Sequence, residues 1–208
     1  MNKKLIIVLN GELSDDLEKY KKRLIDNQNL IIACDGGYNN CKKLNIKPDL
    51  ILGDFDSLQE FEFNNSIKFP KEKDKSDFEL AIDYGFEKGF KDFEIWGAIG
   101  KRLDHTLFNI SLLLRIKKEG GNAIIYHPPY IVFIIDKEYN FGVRNSGFVS
   151  FYPLTSEIKG LTIKGMKYEL NEKDIYLGST ETLSNEFIGK ESFVNFKEGI
   201  ILVILEEA

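Results

Sequence analysis

At 208 residues the chain is long enough for one large domain or two small ones. Hydrophobic residues make up 43%, which excludes a disordered polypeptide, and no apolar run approaches the roughly 20 residues that span a bilayer. A net charge of −5 argues against a general nucleic-acid binder, and the only cysteines, Cys34 and Cys41, suit neither a disulfide framework nor a four-ligand zinc site.

From the amino end, Leu5-Ile6-Ile7-Val8-Leu9 is a continuous apolar run, as expected for a strand covered on both faces. It is too short for the centre of a signal peptide, so the protein is expected in the cytoplasm. Ser14 is placed to cap a helix in which Leu17, Tyr20, Leu24 and Ile25 recur at helical spacing. Leu30 to Cys34 reads as a second buried strand running into Asp35-Gly36-Gly37, and Leu50 to Leu52 as a third running into Gly53-Asp54. Asp77 to Lys88 has helical spacing, with Phe78, Ile82 and Phe86 on one side. Phe93 to Trp96 reads as a further strand, with Trp96 in the core. Asp104 to Lys118 reads as a long helix with Asp104 at its cap and Leu107, Ile110, Leu113 and Leu114 facing inward. Such alternation implies a Rossmann-like parallel sheet with flanking helices, whose ligands bind beyond the carboxyl ends of the strands.

After Tyr126 the period changes. His127-Pro128-Pro129 punctuates the chain, and short apolar runs follow at 131–136, 139–143, 148–152, 161–164, 193–196 and 200–205, separated by glycines. This spacing predicts a C-terminal antiparallel β-sandwich. The expected domains are 1–128, α/β, and 129–208, all β.

Polar clusters fall at the strand ends of the first domain. In Gly53-Asp54-Phe55-Asp56-Ser57 the glycine permits a sharp turn, and two carboxylates emerge one residue apart. Carboxylates that close repel unless a cation neutralises them, and hard oxygen donors suit Mg²⁺ with substrate phosphates. Taken alone, the pair equally fits a helix-capping Asp56 or Ser57 beside a solvated Asp54. In Glu72-Lys73-Asp74-Lys75-Ser76-Asp77, Asp77 can supply a third carboxylate and Lys73 a point charge for phosphate; the same segment also fits a plain helix cap. Gly97-Ala98-Ile99-Gly100-Lys101-Arg102-Leu103-Asp104-His105 leads from a strand into a helix whose amino end favours anions, and Arg102 can hold phosphate oxygens bidentately. It is not a Walker loop, because no Gly-Lys-Ser/Thr occurs. Together these ends hold the inventory of metal-assisted phosphoryl transfer.

In this order the four motifs resemble the signatures of thiamine pyrophosphokinases. Gly160-Leu161-Thr162, Gly165-Met166-Lys167-Tyr168 and Leu183-Ser184-Asn185-Glu186 resemble that family's thiamine-binding domain, so the similarity spans nearly the whole chain. The resemblance implies a homodimer with its active site between subunits, which transfers the diphosphoryl group of ATP to the hydroxyl of thiamine and yields thiamine diphosphate and AMP. It assigns residues 1–128 to ATP and Mg²⁺ and residues 129–208 to thiamine. It implies Asp54, Asp56 and Asp77 as Mg²⁺ ligands with Asp35 and Asp74 nearby, and Lys73 and Arg102 as phosphate contacts, while His105 fits a phosphate contact and an ordinary first-turn residue equally. Asp104 would orient these groups; Ser184, Asn185 and Tyr168 would bind thiamine. Two residues depart from the family pattern. Ser76 stands where threonine is common, and Lys101 replaces a small residue, adding a charge beside the phosphate site. Rival readings are a haloacid-dehalogenase-type phosphatase, which needs its aspartate pair after the first strand, and a non-catalytic nucleotide- or thiamine-binding module.

Overall fold

The computed structural model describes residues 3–24, 29–55 and 65–207, so Ile25, Asp56 and Ser57 lie outside the described residues. The chain divides into two compact units, Met1–His127 and Pro128–Ala208.

The first unit contains β1 (Lys4–Val8), α1 (Leu17–Lys22), β2 (Leu30–Cys34), α2 (Gly37–Leu44), β3 (Leu50–Gly53), β4 (Ser66–Lys68), α3 (Asp77–Glu87), β5 (Asp92–Trp96), α4 (Leu103–Lys118) and β6 (Asn122–His127). Its strands lie in the order β6-β5-β1-β2-β3-β4. Every neighbouring pair is parallel, with Val8 opposite both Ala33 and Trp96. Strand order reverses between β1 and β5, the place where open α/β sheets bind ligands. Leu5, Ile6, Ile7 and Val8 are fully buried, as a central strand between two helical layers requires.

Several local expectations change. Ser14 does not cap α1, whose N-cap position is Asp16; instead the Ser14 backbone N–H donates to the buried Tyr20 hydroxyl at 3.2 Å. Asp104 is the second residue of α4, and the cap position is Arg102. Leu107 was expected inside but is 57% exposed, beside Leu103 and Phe108; α4 instead buries Leu113 and Ile116 in its second half. Among the described residues nothing covers those first turns.

One buried charge sits within the sheet. Glu94, fully buried on β5, accepts from Arg23 through both carboxylate oxygens, from Lys4 at 2.9 Å and from Trp96 Nε1 at 2.9 Å. Burial pushes its carboxyl up, but Arg23, Trp96 and Lys4 together hold it below the ordinary glutamate value. The Arg23 guanidinium also stacks 4.3 Å from the Tyr126 ring centre. The cluster fastens α1 to the sheet.

The second unit is antiparallel throughout: β7 (Tyr130–Ile135), β8 (Tyr139–Val143), β9 (Phe148–Pro153), β10 (Glu157–Lys164), β11 (Leu170–Tyr176), β12 (Asn185–Glu186), β13 (Glu191–Asn195) and β14 (Ile201–Glu206). They form two sheets, β12-β9-β14-β7 and β11-β10-β13-β8. Phe141 of β8 meets Phe151 of β9 at 5.9 Å, and Phe133 of β7 meets Tyr139 of β8 at 5.1 Å, so aromatic side chains join the sheets. Among the described residues, no helix is long and apolar enough to cross a membrane.

Candidate active site

The carboxyl ends of β1, β2, β3 and β5 carry the loops Leu9–Glu12, Asp35–Gly36, Asp54–Phe55 and Gly97–Arg102. Close packing draws them together. A Cβ on Gly36 would lie 2.2 Å from Asn10 Nδ2, and one on Gly53 would lie 2.8 Å from the Asp35 Cβ, so a side chain at either would force its neighbour to shift. Asp35, Phe55 and Lys101 have φ of 41°, 66° and 55°, the left-handed region that non-glycine residues occupy at a cost. Such strain collects where function over-determines the backbone.

Buried amides fasten these loops from behind. Asn40 of α2 is almost fully buried and donates to the Leu9 and Gly11 carbonyls at 2.7 and 2.9 Å. Asn109 of α4 donates to the Ala98 carbonyl at 2.8 Å. The Gly11 and Glu12 N–H groups bond the Gly97 and Ile99 carbonyls, both at 2.7 Å.

Between the loops lies a cavity of about 490 Å³ lined by Asp35, Lys73, Asp77, Lys101, Arg102 and His105, among others. Its carboxylates are under-neutralised. Asp35 Oδ1 is buried without a hydrogen-bond partner. Lys73 Nζ approaches Asp77 Oδ1 to 2.9 Å as an ion pair, although that oxygen has no well-aligned hydrogen bond. Burial raises the Asp77 carboxyl above the ordinary aspartate value; Lys73 pulls it down, and Asp35 and Asp54 push it further up. Asp54 is half-buried at the end of β3. No three described carboxylate, cysteine or histidine groups converge closely enough to enclose a metal by themselves. Mg²⁺ takes one or two carboxylates and completes its shell with phosphate and water. The orphaned Asp35 oxygen and the hard donor set fit that ion.

Ser76 is the N-cap of α3, its Oγ accepting the Glu79 N–H at 3.2 Å, so the capping and site roles of this segment coexist. Asp74 is exposed and does not line the cavity. Arg102 and Asp104 pair with each other at 3.1 Å through Arg102 Nε, and Arg102 holds the Asp104 carboxyl down at about 2. Both are exposed, so water screens the pair and it adds little to stability. The His105 backbone N–H donates to Asp104 at 2.9 Å. Cys34 and Cys41 are free, buried thiols, and burial pushes Cys34 well up and Cys41 to about 12, which makes both inert.

In the second unit the residues expected at thiamine form one cluster. Asn185 is buried; its Nδ2 donates to the Tyr168 carbonyl at 2.7 Å, and its Oδ1 accepts the Tyr168 and Glu186 N–H groups at 3.0 and 2.9 Å. Its amide is therefore committed to the backbone, and it presents Tyr168, which is 54% exposed. Ser184 has φ 55°, and its N–H donates to Ser150 Oγ at 2.9 Å.

Sequence reasoning missed Asn10, Glu12, Asn40 and Asn109, which act on other parts of the loops rather than on a ligand. The Asn-Gly pair after the first strand was the one available signal. A second depression of about 530 Å³ lies at the opposite, amino-terminal edge of the sheet, among Lys3, Tyr84, Lys88 and Phe90. It is far from the carboxylate loops and holds none of the site residues.

A parallel sheet with acid and cation loops at its carboxyl edge, followed by an antiparallel sandwich, defines a two-unit α/β–β protein. Residues 21–125 match the family profile described as "Thiamin pyrophosphokinase, catalytic domain", and residues 134–201 match "Thiamin pyrophosphokinase, vitamin B1 binding domain". The chain belongs to the thiamin pyrophosphokinase family. It is 35% identical over 188 residues to the thiamine pyrophosphokinase of Bacillus subtilis, covering 86% of this chain and 88% of that protein. A crystal structure of thiamine pyrophosphokinase from Bacillus subtilis superposes with a TM-score of 0.87 at 32% identity, over 99% of both chains. One of thiamin pyrophosphokinase from Geobacillus thermodenitrificans gives 0.82 at 28% identity, over 99% of this chain and 98% of that one.

Proposed function

We propose that the chain is an ATP-dependent thiamine diphosphotransferase, which converts thiamine and ATP to thiamine diphosphate and AMP. The observation that carries this is the pairing of under-neutralised Asp35 and Asp77 with Lys73 and Arg102 around one cavity. Thiamine's hydroxyl oxygen forms a bond to the β-phosphorus of ATP as its proton passes to solvent, and the bond from that phosphorus to the α,β-bridging oxygen breaks, with its electrons leaving on AMP. Asp54, Asp77 and Asp35 are the residues that would hold Mg²⁺, with Asp56 from the same motif. Bound there, Mg²⁺ would neutralise charge on the transferring phosphates. Lys73 and Arg102 hold phosphate oxygens in line, His105 contacts them, and Asp104 keeps the Arg102 fork oriented. In the second unit Asn185 fixes the Tyr168 backbone, so that Tyr168 and Ser184 receive thiamine.

The enzyme works in the cytoplasm as a homodimer. The exposed Leu103, Leu107 and Phe108 of α4 supply apolar surface that association would cover. The test is product analysis with purified protein. AMP formation that requires both thiamine and Mg²⁺ is expected. ADP would indicate a simple kinase, free phosphate without thiamine a phosphatase, and no turnover a binding module.

A further inference from the structure

Lys101 occupies a backbone conformation that favours glycine, φ 55°, yet its side chain is well engaged. Its ammonium donates to the Asn10 carbonyl at 2.6 Å and to Asn10 Oδ1 at 3.0 Å, and its backbone N–H donates to Glu12 Oε1 at 3.3 Å. The next residue is Arg102, whose N–H closes a tight turn on the Gly100 carbonyl at 2.6 Å. Asn10 also reaches the other way. Its side chain lies so close over Gly36 that a Cβ there would displace it, and Gly36 follows Asp35. A continuous chain of contact therefore runs from the cation loop, through Lys101 and Asn10, to the carboxylate loop.

We propose that Lys101 is a positioning residue for the nucleotide polyphosphate, clasping Asn10 so that Arg102 and Asp35 keep a fixed spacing across the cavity. The inference rests on the reading of this cavity as the ATP site. A free lysine beside phosphate would act as a charge and need no partner at position 10. Here two of the ammonium's three N–H groups are spent on Asn10, so the clasp and the charge can be told apart.

The experiment is a double-mutant cycle in the full-length enzyme with Lys101→Met, Asn10→Ala and the pair, reading KM for ATP, KM for thiamine and kcat. Each single variant is expected to raise KM for ATP about tenfold and leave KM for thiamine unchanged, with the double no worse than the poorer single, because the two residues form one unit. Additive effects, or an unchanged KM for ATP in either single variant, would overturn the clasp. Lys101→Gly separates positioning from folding. It relieves the left-handed strain, so its melting temperature is expected not to fall while KM for ATP still rises; a normal KM in that variant also sinks the proposal. AMP formation by the unaltered chain is measured in the same series. Its absence overturns the ATP reading together with the clasp, whereas additivity on a measurable KM overturns the clasp alone.

Discussion

The first unit buries carboxylates in two places, and it treats them in opposite ways. Glu94, inside the sheet, meets Arg23, Lys4 and Trp96 and is held below the ordinary glutamate value. Among the described residues, Asp77, half-buried at the sheet edge, meets the ion-pair approach of Lys73 against the like charges of Asp35 and Asp54, and is raised. Burial is common to both, so burial does not mark function. What separates them is the balance of charge: Arg23, Lys4 and an indole N–H meet the one carboxylate of Glu94, whereas at the edge Lys73 pairs with Asp77 while Asp35 and Asp54 oppose it, an excess of negative charge that the Mg²⁺ of the proposed reaction would offset.

The largest effect should come from the incomplete site. Asp54→Asn is expected to lower kcat by about 10²–10³-fold while the circular dichroism spectrum and melting temperature stay near those of the unaltered protein. Near-normal turnover would remove Asp54 from the metal site. Next, Glu94→Gln breaks a completed cluster and should cost about 3 kcal/mol in denaturant titration, with KM for both substrates unchanged. Because Glu94 is lowered in the fold, its stabilisation is present above the ordinary glutamate range and is lost as pH falls through the folded value, so this variant should also flatten the acid limb of the stability curve. If instead Glu94→Gln spared stability and lost kcat, the contrast would be reversed. The smallest effect carries the opposite sign. Asp77 is raised, so its contribution to stability is present below the ordinary aspartate value and lost as pH rises through the folded one. Asp77→Asn should therefore stabilise the metal-free protein at neutral pH by about 1 kcal/mol, seen as a higher melting temperature, while turnover falls. A destabilised Asp77→Asn would mean that the Lys73 pair outweighs the burial of the charge.

The fold was most legible where physics acts through long apolar runs. Leu5 to Leu9 and Leu30 to Cys34 read as strands, and the first run together with Ile32 to Cys34 is buried. It was least legible where an element is polar or short. α2 begins Gly37-Tyr38-Asn39-Asn40, a poor helical sequence, and it forms because Cys41 and Leu44 are buried and Asn40 ties it to the β1 loop. β11 carries Asn171 to Asp174 on an exposed sheet edge, where no alternation of apolar residues betrays a strand. On α4 the spacing of Leu107 was read as inward, but periodicity gives the angle of a face and not whether anything covers it. At the edge, Asp35, Lys73, Asp77, Arg102 and His105 were each visible as polar residues near the ends of elements, and one cavity gathers them. Asn40 left no such trace, since an amide that serves carbonyls looks like any helix residue, and Asn10 showed only as half of a turn-forming Asn-Gly pair. Asp56 lies outside the described residues.

The tie between the first loop and the last has a consequence for the order of synthesis. The contact from Glu12 to Lys101 joins positions 89 apart, and Leu9, Gly11 and Glu12 bond the chain from Trp96 to Ile99. Asp35, Asp54 and Asp77 thus leave the ribosome well before the strand that braces their neighbours. A nascent chain halted before Gly97 would carry most of the acidic half of the edge without the cationic loop that faces it.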